Sequence, residues 1–380
     1  MRFLHTSDWH LGRLFHNVHM TEDQHHILMQ FVDLVRDAKL DAVIIAGDIY
    51  DRAVPPSPAV EILDEVISKL VMEIGVPTII IAGNHDSPER LGFGARLLRD
   101  KGLIISGTLH GGLEGTCLDD AHGPVHIATM PFAMPEVVRE WSSDEDIRGH
   151  EEALRRLIEH TRESIPKDTR SIAVAHAFVT GGTVSDSERS LSVGGSDQVP
   201  ASLFEDFDYV ALGHLHRPQK IGAKHIRYSG SLLKYSFSEI GHQKSMSIVD
   251  MDALGAVSIE EVHLKPRRDL RSIKGTLQEV LAAAPPDLNK DDYILAVLSD
   301  REPLLNPMAK LREFYPNTLH IERPHFGAAT ADGLGSADHH KMTTLELFES
   351  FWEQTREEDL GDARRDVLVE TIKTVDGASQ

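Results

Sequence analysis

Five short apolar runs, each followed within two residues by a glycine, aspartate or histidine, constrain this chain more than any other feature. They are Phe3–Thr6, Ala42–Ala46, Thr78–Ala82, Ile172–Ala175 and Tyr209–Leu212. All are of strand length and rich in apolar or β-branched residues. Between the first two, Thr21-Glu-Asp-Gln24 has the form of a capping box and predicts a helix start. Ile27, Phe31, Leu34, Val35 and Ala38 follow at three- and four-residue spacing and form its expected buried stripe. Ser57 as N-cap and Pro58 at the first helical position predict a second helix. It carries Ile62, Leu63, Val66, Ile67 and Leu70. This strand–helix–strand rhythm predicts an α/β domain whose sheet is covered by helices.

The polar residues beyond the strands carry the chemistry. Asp8-Trp9-His10, Gly47-Asp48, Gly83-Asn84-His85-Asp86, His176 and Gly213-His214-Leu215-His216 all stand at carboxyl ends of predicted strands, where ligands of α/β sheets gather. In extended chain, residues i and i+2 point to the same side. Asp8 and His10 are therefore expected to face one ion together, and so are His214 and His216. Glycines at 47, 83 and 213 permit sharp strand exits and close backbone approach. Asp48 has two oxygens with which to bridge two ions, and Asn84 offers a neutral carbonyl. Two divalent cations against Asp8 and Asp48 leave a net charge of about +2, suited to an anionic phosphate. Four histidines disfavour Mg²⁺ and Ca²⁺, which prefer oxygen, and favour Mn, Fe, Zn or Co.

The chain is 380 residues long, enough for one large domain and one or two smaller modules. After about residue 265 the pattern restarts. Leu270–Ile273, Tyr293–Leu298 and Thr318–Ile321 read as strands, with helices around Leu277–Ala284 and Pro307–Phe314 and a turn at Pro285-Pro286. This predicts a large domain over 1–264 and a small α/β domain over 265–323. A linker of loop composition follows over 324–341, and a helical tail over 342–375. In the tail, Leu345, Phe348, Phe351 and Trp352 line one helix, and Val367, Leu368 and Ile372 a second.

Cys117 is the only cysteine, which excludes an internal disulfide and fits a reducing cytosol. The first residues lack the apolar core of a secretory signal, and no run approaches 18 apolar residues. A cytoplasmic protein is expected. The net charge of −21 would repel phosphate on average. It argues against strong nucleic-acid affinity by the chain alone, not against chemistry on a nucleic acid.

Asp-x-His, Gly-Asp, Gly-Asn-His-Asp, an isolated His and Gly-His-x-His, in this order, resemble the calcineurin-like metallophosphoesterases. Gly83–Leu91, Asp208–Gln219 and Arg227–Glu239 are similar to the SbcD nucleases within that superfamily. The likeness is close over residues 1–250 and only general in the tail. It implies a sandwich of two mixed β-sheets flanked by helices, with a small α/β capping domain and a C-terminal helical tail. It implies one ion held by Asp8, His10, Asp48 and His216, and a second by Asp48, Asn84, His176 and His214. The metal implied is Mn²⁺, and His85 is implied to act on the leaving oxygen. The implied activity is 3′→5′ exonuclease on duplex DNA and endonuclease on single strands and hairpins. The implied setting is DNA repair, recombination and replication, near the nucleoid. The implied partners are DNA, a second copy through the N-terminal helices, and an SbcC-type ATPase docked on the tail. Asp51 stands where archaeal and eukaryotic relatives tend to carry histidine, so their added selection of exonuclease products is not carried over.

Other readings compete. A helical hairpin packed on its own domain is the plain account of the tail. His25-His26 and His339-His340 read as surface histidines. Trp9 and Tyr50 read as packing before base stacking. Arg13, Arg52 and Arg90 are candidate phosphate contacts, and Lys265, Arg267, Arg268 and Arg271 are either a DNA guide or a solvated hinge. A phosphoesterase acting on a small molecule or phosphoprotein would use the same metal core, but needs neither the extra domain nor the tail. A non-catalytic module should have lost ligands, and this chain keeps all seven.

Overall fold

The computed structural model describes residues 1–110, 113, 115–191, 197–284, 287–324, 345, 348, 352 and 360–377. The chain divides into two compact units, Met1–Arg271 and Ser272–Gln380.

The first unit contains two six-stranded sheets. One runs in the order Val257–Val262, Met246–Met251, Arg2–Thr6, Ala42–Ile45, Thr78–Ile81, Leu103–Ser106. Its last four strands are parallel and its first two antiparallel. The other runs Gln219–Lys220, Ile226–Tyr228, Tyr209–Gly213, Arg170–His176, Gly123–Met130, Thr116–Asp120. It has a parallel centre and antiparallel edges. Phe3, Ile44, Ile79, Ile81 and Ile104 of the first sheet share one core with Ile127, Ile172, Val174, Tyr209 and Ala211 of the second. The alternate residues Ala173, Ala175, Val210 and Leu212 face outward to Val138, Leu154, Leu157 and Ile158 of the helices Pro135–Ser142 and His150–Glu163. Both faces of the second sheet are thus covered. That is why its central strands read as continuous apolar runs rather than alternating ones.

Two helix starts differ from expectation. The first helix is Thr21–Ala38, and Met20 in the N-cap position makes no side-chain cap. Gln24 turns inward instead: its amide donates to the carbonyl of His10 at 2.7 Å, and its oxygen accepts from the Gly12 N–H at 3.0 Å. The residue expected to close a capping box braces the loop after the first strand. The second helix is Ser57–Ser68 with Pro56 as N-cap, so Ser57 lies inside it, one residue later than its expected place. Leu28 and Val32 join the buried stripe of the first helix, while Leu34 and Ala38 are only half-buried.

In the second unit a three-stranded sheet runs Leu270–Gly275, Tyr293–Leu298, Thr318–Glu322. Ile294, Ala296 and Leu298 pack with Leu277, Val280 and Leu311 of two short helices. A C-terminal helix spans Asp362–Gly377. The Phe348 and Trp352 rings stack at 6.5 Å, and Arg364 lies 5.1 Å above the Trp352 ring. The expected linker, apart from Pro324, lies outside the described residues, as do Pro285-Pro286, His339-His340 and Phe351. No helix among the described residues is long and apolar enough to cross a membrane.

Candidate metal centre

The loops beyond the strands are laced to one another before any side chain is considered. Asp8 N donates to the Gly47 carbonyl at 3.0 Å, His10 N to that of Asp48 at 3.0 Å, and Leu11 N to that of Ile49 at 2.9 Å. Asp86 ties the third loop to the second, accepting from Ile49 N at 3.1 Å, Tyr50 N at 2.9 Å and Gly83 N at 2.9 Å. His85 N donates to Asp48 Oδ1 at 2.8 Å. The packing leaves no room for side chains at two glycines. A Cβ at Gly213 would lie 1.8 Å from the Ala46 carbonyl oxygen, and one at Gly83 would lie 2.2 Å from Asp48 Oδ1.

Asp8, His10, Asp48 and His214 all have positive φ, at 55°, 47°, 51° and 110°. L-residues pay conformational energy there, and such strain clusters at functional sites. It also revises the spacing argument. Asp8 and His10 do converge on one place, but through tight turns rather than extended chain. His214 and His216 do not act as a same-side pair, because they reach different partners. His216 Nε2 lies 2.9 Å from His10 Nε2, whereas His214 Nδ1 lies 3.2 Å from Asn84 Oδ1.

All seven expected ligands, and His85, meet in one centre, where all are buried except the half-buried Asn84. Asp8, His10 and His216 bring ligand atoms within 4.8 Å of one another, and so do Asp8, Asp48 and His176. Asn84 Oδ1 lies 2.9 Å from His176 Nε2. Asp48 Oδ2 lies centrally, 3.7 Å from His10 Nε2, 3.5 Å from His176 Nε2 and 3.9 Å from His85 Nε2. A third grouping, His10, Asp51 and His85, adds the Asp51 carboxylate, which is not among the expected ligands.

The hydrogen bonds also fix ring orientation. His176 Nδ1–H donates to the Ala46 carbonyl at 2.9 Å and His85 Nδ1–H to that of Asp51 at 2.8 Å, so each Nε2 is turned inward. Burial holds His10 and His214 well below the usual imidazole range, hence neutral. Burial would raise Asp48, but the His176 and His10 imidazoles hold it well below the usual carboxylate range. Burial acts to lower His176, and the adjoining Asp48 carboxylate overcomes it, lifting that ring to about 9. Burial pushes Asp8 up to about 6. Two nitrogens facing each other at 2.9 Å, with carboxylate oxygens beside them, form a donor set that fits a cation. His10 Nδ1 is buried with no hydrogen-bond partner among the described residues.

The expected phosphate-binding arginines are partly engaged elsewhere. Arg13 Nη1 donates to Asp51 Oδ1 at 2.7 Å, and Arg90 Nη1 to the Ala53 carbonyl at 3.0 Å, while Arg52 is exposed. Arg189, which sequence reasoning missed, lies close enough for its charge to contribute to lowering His85, behind the larger effect of burial. Trp9 is a packing residue, 1% exposed, with its edge against Phe31 at 5.5 Å. Arg267 and Arg268 both pair with Glu22, and Arg268 also with Asp23, which neutralises much of the junction cluster.

With this geometry in view, the likeness to known proteins is specific. The calcineurin-like phosphoesterase family matches residues 1–218, and the type 5 capsule protein repressor C-terminal domain matches residues 266–356. The SbcD chain of the SbcCD nuclease of Staphylococcus epidermidis is 32% identical over 373 residues, covering 97% of each chain. The chain belongs to the SbcD branch of the calcineurin-like phosphoesterases. Two solved structures align more loosely. TT1561 of Thermus thermophilus shows 16% identity and a TM-score of 0.38 over 69% of this chain and 99% of its own. A dimetal phosphatase from Danio rerio shows 11% identity and a TM-score of 0.41 over 69% and 96%. As an SbcD-family protein the chain is a metal-dependent phosphodiester hydrolase.

Proposed function

We propose that the protein is the nuclease component of an SbcCD complex, cutting DNA at this centre with two Mn²⁺ ions. In this reading Asp8, His10, Asp48 and His216 hold one ion, and Asp48, Asn84, His176 and His214 the other. The observation that carries it is the meeting of donors from five separated loops around Asp48 Oδ2, in a pocket where Asp48 is 1% exposed. Divalent ions bound there supply the positive charge that draws electrons from a phosphate and favours attack on phosphorus. The chain's own residues do the rest. In its protonated form His85 presents an Nε2–H beside the centre to give to the departing oxygen, and the Asp51 carbonyl that accepts from Nδ1–H fixes that orientation. Asp86 holds the His85 and Asp48 loops together. Arg52 and Arg189 stand in exposed positions suited to phosphate oxygens.

The proposed activity is 3′→5′ exonuclease on duplex ends and endonuclease on single strands and hairpins, in repair, recombination and replication. The residues after 265 serve as a capping domain over 265–323, a linker over 324–341 and an SbcC-binding tail over 342–375. The negative net charge makes the ATPase the main source of DNA affinity. A homodimer is proposed through the face around Val60, Leu63 and Ile67. There Val54 and Phe93 are exposed and line an apolar groove of about 540 Å³. The lone cysteine supports a cytoplasmic, nucleoid-associated setting.

The test is cleavage of end-labelled duplex, hairpin and single-stranded DNA with Mn²⁺ or Mg²⁺, with and without SbcC and ATP. Mn²⁺-dependent loss of the 3′ label, stimulated by the ATPase, is expected. Hydrolysis of a generic phosphodiester with no cleavage of any DNA would instead make it a phosphoesterase for another substrate.

A further inference from the structure

We propose that Ser187 and Glu239 are positioning residues for His216, joined to it in a hydroxyl-linked relay that decides which ring nitrogen faces the metal centre. His216 Nδ1 lies 2.7 Å from Ser187 Oγ, and the Ser187 hydroxyl contacts Glu239 Oε1. The direct distance from His216 Nδ1 to Glu239 Oε1 is longer, 3.4 Å. Glu239 is fully buried, and Lys244 Nζ meets its other oxygen at 2.5 Å. A carboxylate paired in this way is ionised and accepts hydrogen bonds only.

The order of protons then follows by elimination. A serine hydroxyl has one hydrogen. If it pointed at His216, the Ser187 and Glu239 oxygens would touch with no hydrogen between them. The hydrogen therefore goes to Glu239, and Ser187 Oγ accepts from His216 Nδ1–H. That leaves His216 Nε2 with its lone pair, 2.9 Å from His10 Nε2.

The same group of side chains grips the His216 backbone. Its N–H donates to Glu188 Oε1 at 2.7 Å, and its carbonyl accepts from Lys244 Nζ at 2.7 Å. Lys244 also donates to Ser231 Oγ at 2.8 Å. None of Ser187, Glu188, Glu239 and Lys244 is a candidate ligand. A buried ion pair is a poor way to gain stability, yet this one sits directly behind a candidate ligand. His176 and His85 obtain the same hold on Nδ1–H from backbone carbonyls. His216 obtains it from side chains, so single substitutions can remove the support without moving the ring's own chain.

This inference rests on His216 being a ligand, and the experiment separates the two ideas. Full-length, metal-free protein is titrated with Mn²⁺ by calorimetry, and wild type is expected to bind two ions. His216→Ala should lose one step. Ser187→Ala should weaken that step about 10–100-fold, the effect usual for removing a residue that orients a ligand, and leave the other unchanged. Metal-free Ser187→Ala should melt within about 8 °C of wild type, as expected for two hydrogen bonds. Ser187→Thr, which keeps the hydroxyl, should restore the step. If His216→Ala loses a step while Ser187→Ala binds as wild type, the relay is wrong and the ligand reading stands. Weakening of both steps together with a larger drop in metal-free melting also overturns it, as a general structural effect. If His216→Ala still binds two ions, the ligand reading fails and the relay with it.

Discussion

The Nε2 atoms of His10 and His216, 206 residues apart in the chain, lie 2.9 Å from each other inside a fully buried centre. Burial keeps the His10 ring neutral, and the hydrogen bond to Ser187 places the His216 proton on its far nitrogen. Without a cation or a proton between them, the contact sets two nitrogens against each other. Metal should therefore act on stability as well as activity. At a free concentration 100 times Kd, Mn²⁺ should add about 2.7 kcal/mol per site, a rise of roughly 5–10 °C in melting temperature for a domain of this size. Scanning fluorimetry in chelator and in Mn²⁺ measures it. Identical melting curves would remove the centre as a metal site.

His85 is expected to matter for turnover and not for metal. Its Nε2 lies 3.9 Å from Asp48 Oδ2, and its Nδ1 is committed to the Asp51 carbonyl. Glutamine in its place can hydrogen-bond but cannot deliver a proton. His85→Gln should bind Mn²⁺ as wild type does and cut DNA about 10²–10⁴ times more slowly. Wild-type cleavage rates from this variant would deny His85 a part in proton transfer.

Much of this was legible in the sequence because the determinants are local. A short apolar run bounded by polar residues marks a strand, and Tyr293–Leu298 has the same bounds in sequence and structure. The convergence of the candidate ligands was legible because their motifs sit at strand ends. What escaped depended on distant partners. Gln24 reads as part of a cap, yet its amide serves a loop 14 residues earlier in the chain. Nothing in the pattern around Ser187 or Lys244 signals that both meet Glu239. His214 and His216 reach different partners, which residue spacing does not encode.

Asp86 should be a structural staple rather than a participant in chemistry. Its carboxylate accepts three backbone N–H groups from two loops. Asp86→Ala would leave these donors buried without an acceptor, at a cost of roughly 3 kcal/mol or more. Asp86→Asn keeps one accepting oxygen and should lose less. Urea midpoints of the metal-free variants give the comparison, and an alanine variant as stable as wild type would contradict the assignment.

The tail is expected to serve the partner and not the chemistry. Phe348 is more than a third exposed and stacks on Trp352, which is covered in turn by Arg364. A chain ending at residue 340 should keep Mn²⁺-dependent cleavage of single-stranded DNA and lose binding to SbcC in a pull-down. Unchanged complex formation would assign the docking surface elsewhere.

A last prediction concerns acid. His5 is fully buried in the first strand, and its Nε2–H donates to the Leu212 carbonyl at 3.2 Å while Nδ1 accepts from the Tyr209 hydroxyl at 3.0 Å. Burial, helped by the Arg227 charge, lowers its pKa from 6.5 to about 3. The unfolded chain therefore takes up a proton near pH 6.5 that the folded chain refuses until about pH 3. The stabilisation is complete above pH 6.5 and shrinks as pH falls through this window, by up to about 1.4 kcal/mol per pH unit. His5→Phe removes the titrating group and should flatten the pH dependence by that amount. Urea unfolding of both metal-free proteins at about pH 7, 5.5 and 4.5, spanning the window in which the proton is taken up, reads the difference. Parallel stability curves would mean that His5 takes up its proton without unfolding the sheet.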